Sequence, residues 1–186
     1  KQVSFYEEMA NVPFIIAGPG IHPRQKPVED LLTQPTIDLL PTLCELAGIP
    51  VPSSKPGISL APFLKGEKQK RQHLYAASEW HSEYEVTVSP GRMIRSPRYK
   101  YTHYLEGNGE ELYDMLKDKG ERRNLAHDPK YSKILAEHRA LLDDYIRRTQ
   151  DDYRSLKVEA DKRWRSHAPG YPNHEGPCAR DIINRK

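Results

Sequence analysis

The chain has 186 residues, of which 37% are hydrophobic and 30% charged, and its mean hydropathy is -0.82. This length suits one domain, or a small domain with a piece of another. The net charge of +3 is small and dispersed, which argues against a nucleic-acid-binding protein, and no segment is apolar over the length needed to cross a membrane.

The N-terminal third has the pattern of an α/β unit. Residues 12–18 form a continuous apolar run that ends at a Gly-Pro-Gly turn, which predicts a short strand buried on both faces. Such a strand is typical of a parallel sheet, and we expect its neighbouring strands to lie outside this chain. Apolar residues recur at three- and four-residue steps over 36–48, which predicts a helix capped by Thr36 and stopped by Gly48.

A proline-rich segment, 49–72, then predicts a surface linker held down by Leu60, Phe63 and Leu64. We place a domain boundary after residue 66. Short segments with β-branched or aromatic residues follow, separated by turn signals, and predict an antiparallel meander. Its strands are His73–Ser78, Arg92–Arg95, Tyr99–Tyr104 and Glu111–Tyr113. In the third, Tyr99, Tyr101 and His103 alternate with Lys100, Thr102 and Tyr104, which predicts a half-buried strand in which His103 has a packing role.

A long amphipathic helix is predicted over 130–148, after Asp128 and Pro129. A sheet of three or four strands needs a partner for its inner face, and this helix is available for that role. The apolar residues expected to contact the sheet are Ile134, Leu135, Leu141, Leu142 and Ile146. The second unit therefore covers 67–153, and residues 154–186 are expected to form an irregular tail.

Four stretches of the sequence, in this order, resemble signatures of sulfatases, which belong to the alkaline-phosphatase superfamily. They are Lys1…Phe5-Tyr6-Glu7-Glu8…Val12-Pro13, Thr36-Ile37-Asp38-Leu39-Leu40-Pro41-Thr42-Leu43…Ala47-Gly48-Ile49, Gly57-Ile58-Ser59-Leu60-Ala61-Pro62-Phe63-Leu64-Lys65-Gly66, and Arg98-Tyr99-Lys100-Tyr101 followed by Glu111-Leu112-Tyr113-Asp114…Asp118…Glu121…Asn124-Leu125-Ala126. The resemblance covers roughly residues 1–150. It departs from the family pattern at Lys119, which replaces a proline, and at Phe5, which is inserted before Tyr6.

The resemblance implies an α/β fold. Residues 1–66 would be the C-terminal end of the catalytic α/β domain, with the last strand and helix of its mixed sheet and a linker. Residues 67–153 would be a C-terminal subdomain of three or four antiparallel strands packed on one long helix. The implied function is that of the C-terminal part of a sulfuric ester hydrolase acting on a sulfated sugar or glycosaminoglycan.

Cofactors of the family are expected in the complete enzyme only. Sulfatases resembling this chain use a formylglycine nucleophile, made from the Cys or Ser of a Cys/Ser-x-Pro-x-Arg motif, and a divalent cation, usually Ca²⁺. Neither Cys44 nor Cys178 lies in that motif, and no paired-Asp metal motif occurs. We therefore expect both groups upstream and no cofactor bound by this chain, which by itself should be inactive.

Three residues are candidate site residues. By resemblance, Lys1 is a catalytic lysine that holds a sulfate oxygen as a point charge; the alternative is a terminal lysine without a role. His81 and Arg92 are candidate substrate-binding residues beside loops, where a sheet presents polar groups to a cleft. Residues Asp38, Thr42, Glu111, Tyr113, Asp114 and Asn124 are expected to be structural.

Two other functions remain open. One is a phosphodiester or phosphonate ester hydrolase of the same superfamily, and the other is a non-catalytic, truncated binding module. The expected partners are a sulfated carbohydrate and the upstream part of the catalytic domain, without nucleic acid or membrane. The resemblance implies a periplasmic, secreted or lysosomal location.

Overall fold

The computed structural model describes residues 5–23, 26–28, 31–51, 53, 56–68, 73–80, 91–105 and 109–155. Its centre is a four-stranded antiparallel sheet in the order β1-β2-β3-β4, which confirms the predicted meander. The strands are β1 (Ala76–Trp80), β2 (Gly91–Arg95), β3 (Tyr99–Tyr104) and β4 (Glu110–Asp114). Only β1 differs in extent by more than a residue, since it begins three residues after the predicted start.

Strand register places the apolar side chains of the sheet on one face. Ile94 of β2 lies opposite Tyr101 of β3, which in turn lies opposite Leu112 of β4. All three are almost completely buried. Because side chains alternate between the two faces of a strand, this row defines the face that carries the main core.

The long helix, Ser132–Thr149, covers this face. A 3₁₀ turn precedes it, and the Asp128 carboxylate caps that turn by accepting a hydrogen bond from Lys130 N at 3.1 Å. Leu135 and Leu142 enter the core, while Ile134, Leu141 and Ile146 pack at its edge. The predicted sheet-facing side of the helix is therefore confirmed.

The other face of the sheet is also covered, contrary to the half-buried pattern predicted for β3. Lys100 and Thr102 are each only 1% exposed. The N-terminal segment explains this burial: the Phe5 ring lies 5.9 Å from that of Tyr104, and the Tyr6 ring lies 6.4 Å from that of Tyr113. A short helix, α1 (Glu7–Ala10), continues the segment. Alternation along one strand cannot reveal a cover supplied by residues almost 100 positions earlier.

The predicted strand over 12–18 is not formed here. The segment has neither strand nor helix structure, and Ile15 is 85% exposed. A strand requires a hydrogen-bonded neighbour, and none of the described segments pairs with this one. The expectation that its neighbours lie outside the chain is consistent with this exposure.

The second N-terminal helix, α2 (Pro35–Leu46), confirms the predicted helix, with a different start. Its N-cap position is Gln34 rather than Thr36. The predicted linker contains a further short helix, α3 (Ala61–Leu64), so the long helix of the subdomain is α4. Gly57, at φ 116°, allows the linker to approach α2, since a Cβ there would lie 2.1 Å from Ile37 O. None of the helices in the described part of the chain is long and apolar enough to span a membrane.

Candidate functional site

Of the three predicted site residues, only Arg92 lies in the described part of the chain. Lys1 and His81 lie outside it. Arg92 is the second residue of β2, and it lies on the α4 face because it is two positions from Ile94. The sequence predicted that Arg92 would face a cleft beside a loop. Its side chain is instead only 1% exposed and lies inside the subdomain.

Arg92 forms a bidentate ion pair with Asp151, just beyond the end of α4. Nε lies 2.5 Å from Oδ2, and Nη2 donates to Oδ1 at 2.8 Å. The guanidinium also lies over the Tyr153 ring, 4.4 Å from its centroid. A buried arginine requires such partners because an unpaired charge away from water is costly. Arg92 therefore has a structural role, in addition to any contact with a substrate.

The neighbouring His103 also has a packing role, as the sequence predicted. Its Nδ1 lies 2.5 Å from the hydroxyl oxygen of Tyr153, which is fully buried. Burial lowers the pKa of His103.

At the sheet edge, Glu110 accepts a hydrogen bond from Arg139 Nε at 2.7 Å, and this contact lowers the pKa of Glu110 to about 2.

A second buried charge cluster lies on the opposite face, around Lys100. Its Nζ donates to Phe5 O at 2.7 Å and to Glu7 Oε1 at 3.0 Å, and it forms an ion-pair contact of 2.6 Å with Glu121 Oε1. The other Glu121 oxygen accepts a hydrogen bond from Glu7 N at 2.7 Å. We call Lys100, Glu7 and Glu121 the clamp cluster, because it joins the N-terminal segment to the sheet.

Glu111 adds a third carboxyl group to this region. It lies opposite Thr102 in the sheet register, on the same face as Lys100, and is 8% exposed. Burial raises its pKa, and the nearby Glu121 charge raises it further. Three carboxyl groups therefore lie around the buried Lys100, and Arg95, whose Nε is 3.9 Å from Glu7 Oε1, is a second cation beside them.

Asp38 and Thr42 hold the linker against α2, which supports their structural interpretation. The fully buried Asp38 carboxylate accepts hydrogen bonds from Gln34 N at 2.7 Å and Ile58 N at 2.8 Å. It also lies 2.7 Å from His73 Nε2. Thr42 Oγ1 accepts a hydrogen bond from Leu60 N at 2.9 Å.

The predicted hairpin residues also make structural contacts. Asn124 accepts hydrogen bonds from Leu112 N and Ala126 N, and so fixes the loop after β4. Asp114 accepts a hydrogen bond of 2.7 Å from Arg98 Nη2. In the part of the chain that the structure describes, no three His, Cys, Asp or Glu side chains are grouped so that they would hold a metal ion.

Comparison with known families places these contacts in context. Residues 2–148 match the family described as N-sulphoglucosamine sulphohydrolase, C-terminal. The chain belongs to this sulfatase family. The resemblance seen in the four sequence motifs is thus confirmed, and so is the interpretation of the chain as a sulfatase C-terminal portion.

Individual relatives are also sulfatases. The chain is 75% identical over all its 186 residues to a Delta 4,5-hexuronate-2-O-sulfatase of Bacteroides thetaiotaomicron, of which it covers 39%. It is also 36% identical over 136 residues to a choline-sulfatase of Rhizobium meliloti. That alignment covers 69% of this chain and 24% of the choline-sulfatase. The solved structure of a 2-O glycosaminoglycan sulfatase, 75% identical in sequence, superposes on this chain with a TM-score of 0.83. The superposition covers 98% of this chain and 39% of the solved one. The sulfatase portion thus spans well under half the length of these proteins.

The sequence analysis did not single out the clamp cluster, although the motifs contain its residues. Glu7, Lys100 and Glu121 each occur in one of the sulfatase-like stretches. Alternation along β3 did place Lys100 and Tyr101 on opposite faces of the sheet. Only the fold brings the three residues together, since Glu7 and Lys100 lie 93 positions apart along the chain.

Proposed function

We propose that this sulfatase portion belongs to an enzyme that hydrolyses the 2-O-sulfate ester of a hexuronate in glycosaminoglycan fragments. The observation that carries the proposal is the 75% identity to a Delta 4,5-hexuronate-2-O-sulfatase, which extends over every residue of the chain.

The proposal also assigns the cofactor-binding residues of the enzyme to one of its two parts. Among the described residues, no group of His, Cys, Asp or Glu side chains is arranged to hold a cation. We propose that the cation ligands and the formylglycine come from the upstream part of the catalytic domain, which is the partner of this chain. In this arrangement residues 1–66 complete the catalytic domain, 67–153 form the subdomain, and the enzyme is periplasmic, secreted or lysosomal.

Lys1 is the proposed catalytic residue of this portion. An ammonium group against a sulfate oxygen stabilises the negative charge on the sulfuryl group while that group is transferred from the sugar oxygen to the nucleophile. His81 and Arg92 are the proposed substrate-binding residues, which contact the sugar away from the sulfate that is released. For Arg92 this role has to coexist with the ion pair to Asp151, so its replacement should affect stability as well.

Sulfate release by the full-length protein tests the proposal. The probe is an unsaturated uronate disaccharide with a 2-O-sulfate, and the control is the same disaccharide sulfated only on the amino sugar. We expect release from the first substrate alone. Release from the control alone would contradict the assigned position, and cleavage of a phosphonate ester without any sulfate release would favour the alternative hydrolase.

Kinetics of variants test the substrate-binding residues. His81→Ala and Arg92→Ala should raise KM for the sulfated disaccharide more than they lower kcat, because contacts to the sugar act on the ground state and the transition state alike. A small aryl sulfate lacks these contacts and is the control substrate. Equal losses on both substrates in His81→Ala would overturn its role in binding the sugar. In Arg92→Ala the lost Asp151 pair affects both substrates equally, so only a larger loss on the disaccharide would support a contact with the sugar.

A further inference from the structure

Three carboxyl groups meet where the N-terminal segment, residues 5–10, lies on the sheet. Glu7 belongs to the segment, Glu111 to β4 and Glu121 to the loop that follows β4. Lys100 pairs with two of them, since its Nζ lies 3.0 Å from Glu7 Oε1 and 2.6 Å from Glu121 Oε1. Glu111 is 8% exposed, and within the described residues no cation forms an ion pair with it. It is therefore a buried carboxyl group without a counterion of its own.

The charges around Glu111 do not balance when all three carboxyl groups are ionised. The other titratable groups of this region are Tyr6 and Glu8 of the segment, Arg95 of β2, Lys100 and Tyr104 of β3, and Tyr113 of β4. Glu8 is exposed to solvent, and burial raises the pKa of each of the three tyrosines, which are therefore neutral. Three carboxylates against Arg95 and Lys100 leave one negative charge in excess. A proton on one carboxyl group removes this excess.

The N-terminal segment shields Glu111 from water. The Tyr6 ring lies 6.4 Å from the Tyr113 ring, and the Tyr113 side chain hydrogen-bonds with both Tyr6 and Glu111. The segment itself has a small buried area, since none of the four residues of α1 is buried. Segments with few buried contacts open at a lower free energy than the core of a domain. Detachment of the segment would return Glu111 to water while the sheet remains folded.

We propose that attachment of the N-terminal segment to the sheet is coupled to the binding of a proton by the Glu111 carboxyl group. The segment is held more tightly when Glu111 is protonated and is released more readily when Glu111 is ionised. The contact is thus a pH-sensitive clasp between the two parts of the chain, whatever substrate the enzyme hydrolyses.

The direction of the pH dependence follows from the environment of Glu111. Burial raises its pKa, and the Glu121 charge raises it further. A proton that binds more tightly to the attached state stabilises that state, and this stabilisation is lost as the pH rises through the raised pKa. The relevant window therefore begins near the usual glutamate pKa of about 4.3 and extends upward. A clasp made of ion pairs alone, such as Lys100 with Glu7, would instead weaken as the pH falls.

Hydrogen exchange of the Glu7 amide in the full-length protein tests the proposal. This amide donates to Glu121 Oε2 at 2.7 Å and so reports on the attached state. After correction for the intrinsic effect of pH on exchange, its protection should increase about three- to tenfold from pH 7.5 to 5.5, because one unit of pKa shift corresponds to a tenfold change in the equilibrium. Protection that is constant or decreases over this range would overturn the inference.

Two isosteric variants identify the group that binds the proton. Glu111→Gln cannot ionise, so the Glu7 amide should be well protected at both pH values and its pH dependence should disappear. Glu8→Gln makes the same change of charge at an exposed position of the segment and should keep the pH dependence of the unmodified protein. Protection of the α4 amides verifies that both variants are folded. An increase in Glu7 protection that persists in Glu111→Gln would overturn the inference.

A carbon-13 titration of the Glu111 carboxyl group tests the coupling from the other side. Its midpoint should lie above about 4.3 in the unmodified protein. Phe5→Ala removes a buried ring that lies 5.9 Å from the Tyr104 ring, and so loosens the segment without changing a charge. The midpoint should then fall toward the usual value. A midpoint near 4.3 in the unmodified protein would overturn the inference, as would one that stays raised after the Glu7 amide has lost its protection.

Discussion

Arg92 and Asp151 are paired through two hydrogen bonds, of 2.5 and 2.8 Å, that join the second strand of the sheet to the chain just beyond α4. Asp151 also accepts a hydrogen bond from Tyr153 N at 3.1 Å. One carboxylate therefore fixes both the strand and the turn that follows the helix. Both side chains of the pair are at most 8% exposed, so the pair is not weakened by solvent as a surface pair would be.

Removal of this pair should destabilise the subdomain. Arg92→Ala leaves the Asp151 carboxylate buried without its guanidinium, at an expected cost of about 3–5 kcal/mol in the free energy of unfolding. Arg147→Ala is the control, because its ion pair with Asp144 is exposed and should contribute under about 1 kcal/mol. Urea denaturation of the purified chain measures both. Equally small changes in the free energy of unfolding for the two variants would show that the Arg92–Asp151 pair does not stabilise the subdomain.

Truncation of Leu142 should test the packing of α4. This residue is completely buried in the main core, and Leu142→Ala should lower the free energy of unfolding by about 2–4 kcal/mol through lost contacts and the cavity that remains. Leu116→Ala, at a position that is 67% exposed, should leave the denaturation midpoint nearly unchanged. The opposite ranking of the two variants would contradict the observed helix face.

The Thr42 hydroxyl should account for part of the attachment of the linker. Thr42→Val keeps the shape of the side chain but leaves the buried Leu60 N–H without an acceptor, at a cost of about 1–3 kcal/mol. Amide exchange of residues 58–64 should become faster as the linker loosens from α2. Thr149→Val removes an exposed hydroxyl that donates to Tyr145 O and serves as the control. Unchanged exchange in both variants would mean that the linker is held by other contacts.

Stability should depend on His138 at mildly acidic pH. Burial lowers the pKa of this histidine, which contacts Ile134 O and Ser96 Oγ. The unfolded chain therefore binds the proton more readily, at a pKa of about 6.5. The contribution of neutral His138 to the free energy of unfolding should be fully present above about pH 6.5. It should decrease as the pH falls from there through the lower pKa of the folded state.

His138→Gln should remove this component of the pH dependence. Denaturation midpoints between about pH 7 and 5 would then decrease less steeply than those of the unmodified chain. His127→Gln alters an exposed histidine at the same net charge and is the control. A slope that is unchanged in His138→Gln and reduced in His127→Gln would contradict the assignment.

The chain alone should not hydrolyse an aryl sulfate. No formylglycine motif occurs in its sequence, and sulfatases generally use that nucleophile, which we propose comes from the upstream part. The measurement is sulfate release by purified residues 1–186, with the full-length protein as positive control. Turnover above that of a mock purification would contradict the expected dependence on the upstream part.

Local sequence patterns were sufficient to predict the elements of the subdomain and its family. Turn signals around a short segment gave β2, alternation gave β3, and the periodicity of apolar residues gave α4 together with its core residues, such as Leu135 and Leu142. These signals are reliable because each depends on residues within one or two turns or strands of one another. The apolar run over 12–18 forms no strand here, because a strand needs a hydrogen-bonded neighbour and the described residues supply none.

Only the tertiary structure decided the roles of the charged residues. The sequence offered Arg92 as a surface contact and Lys100 as one residue of a half-buried strand, yet both are buried and paired. Their partners, Asp151 and Glu7, lie 59 and 93 positions away along the chain. Burial of a charge is possible only where an opposite charge is brought to within about 3 Å, and this proximity is created by the packing of the segments on the two faces of the sheet.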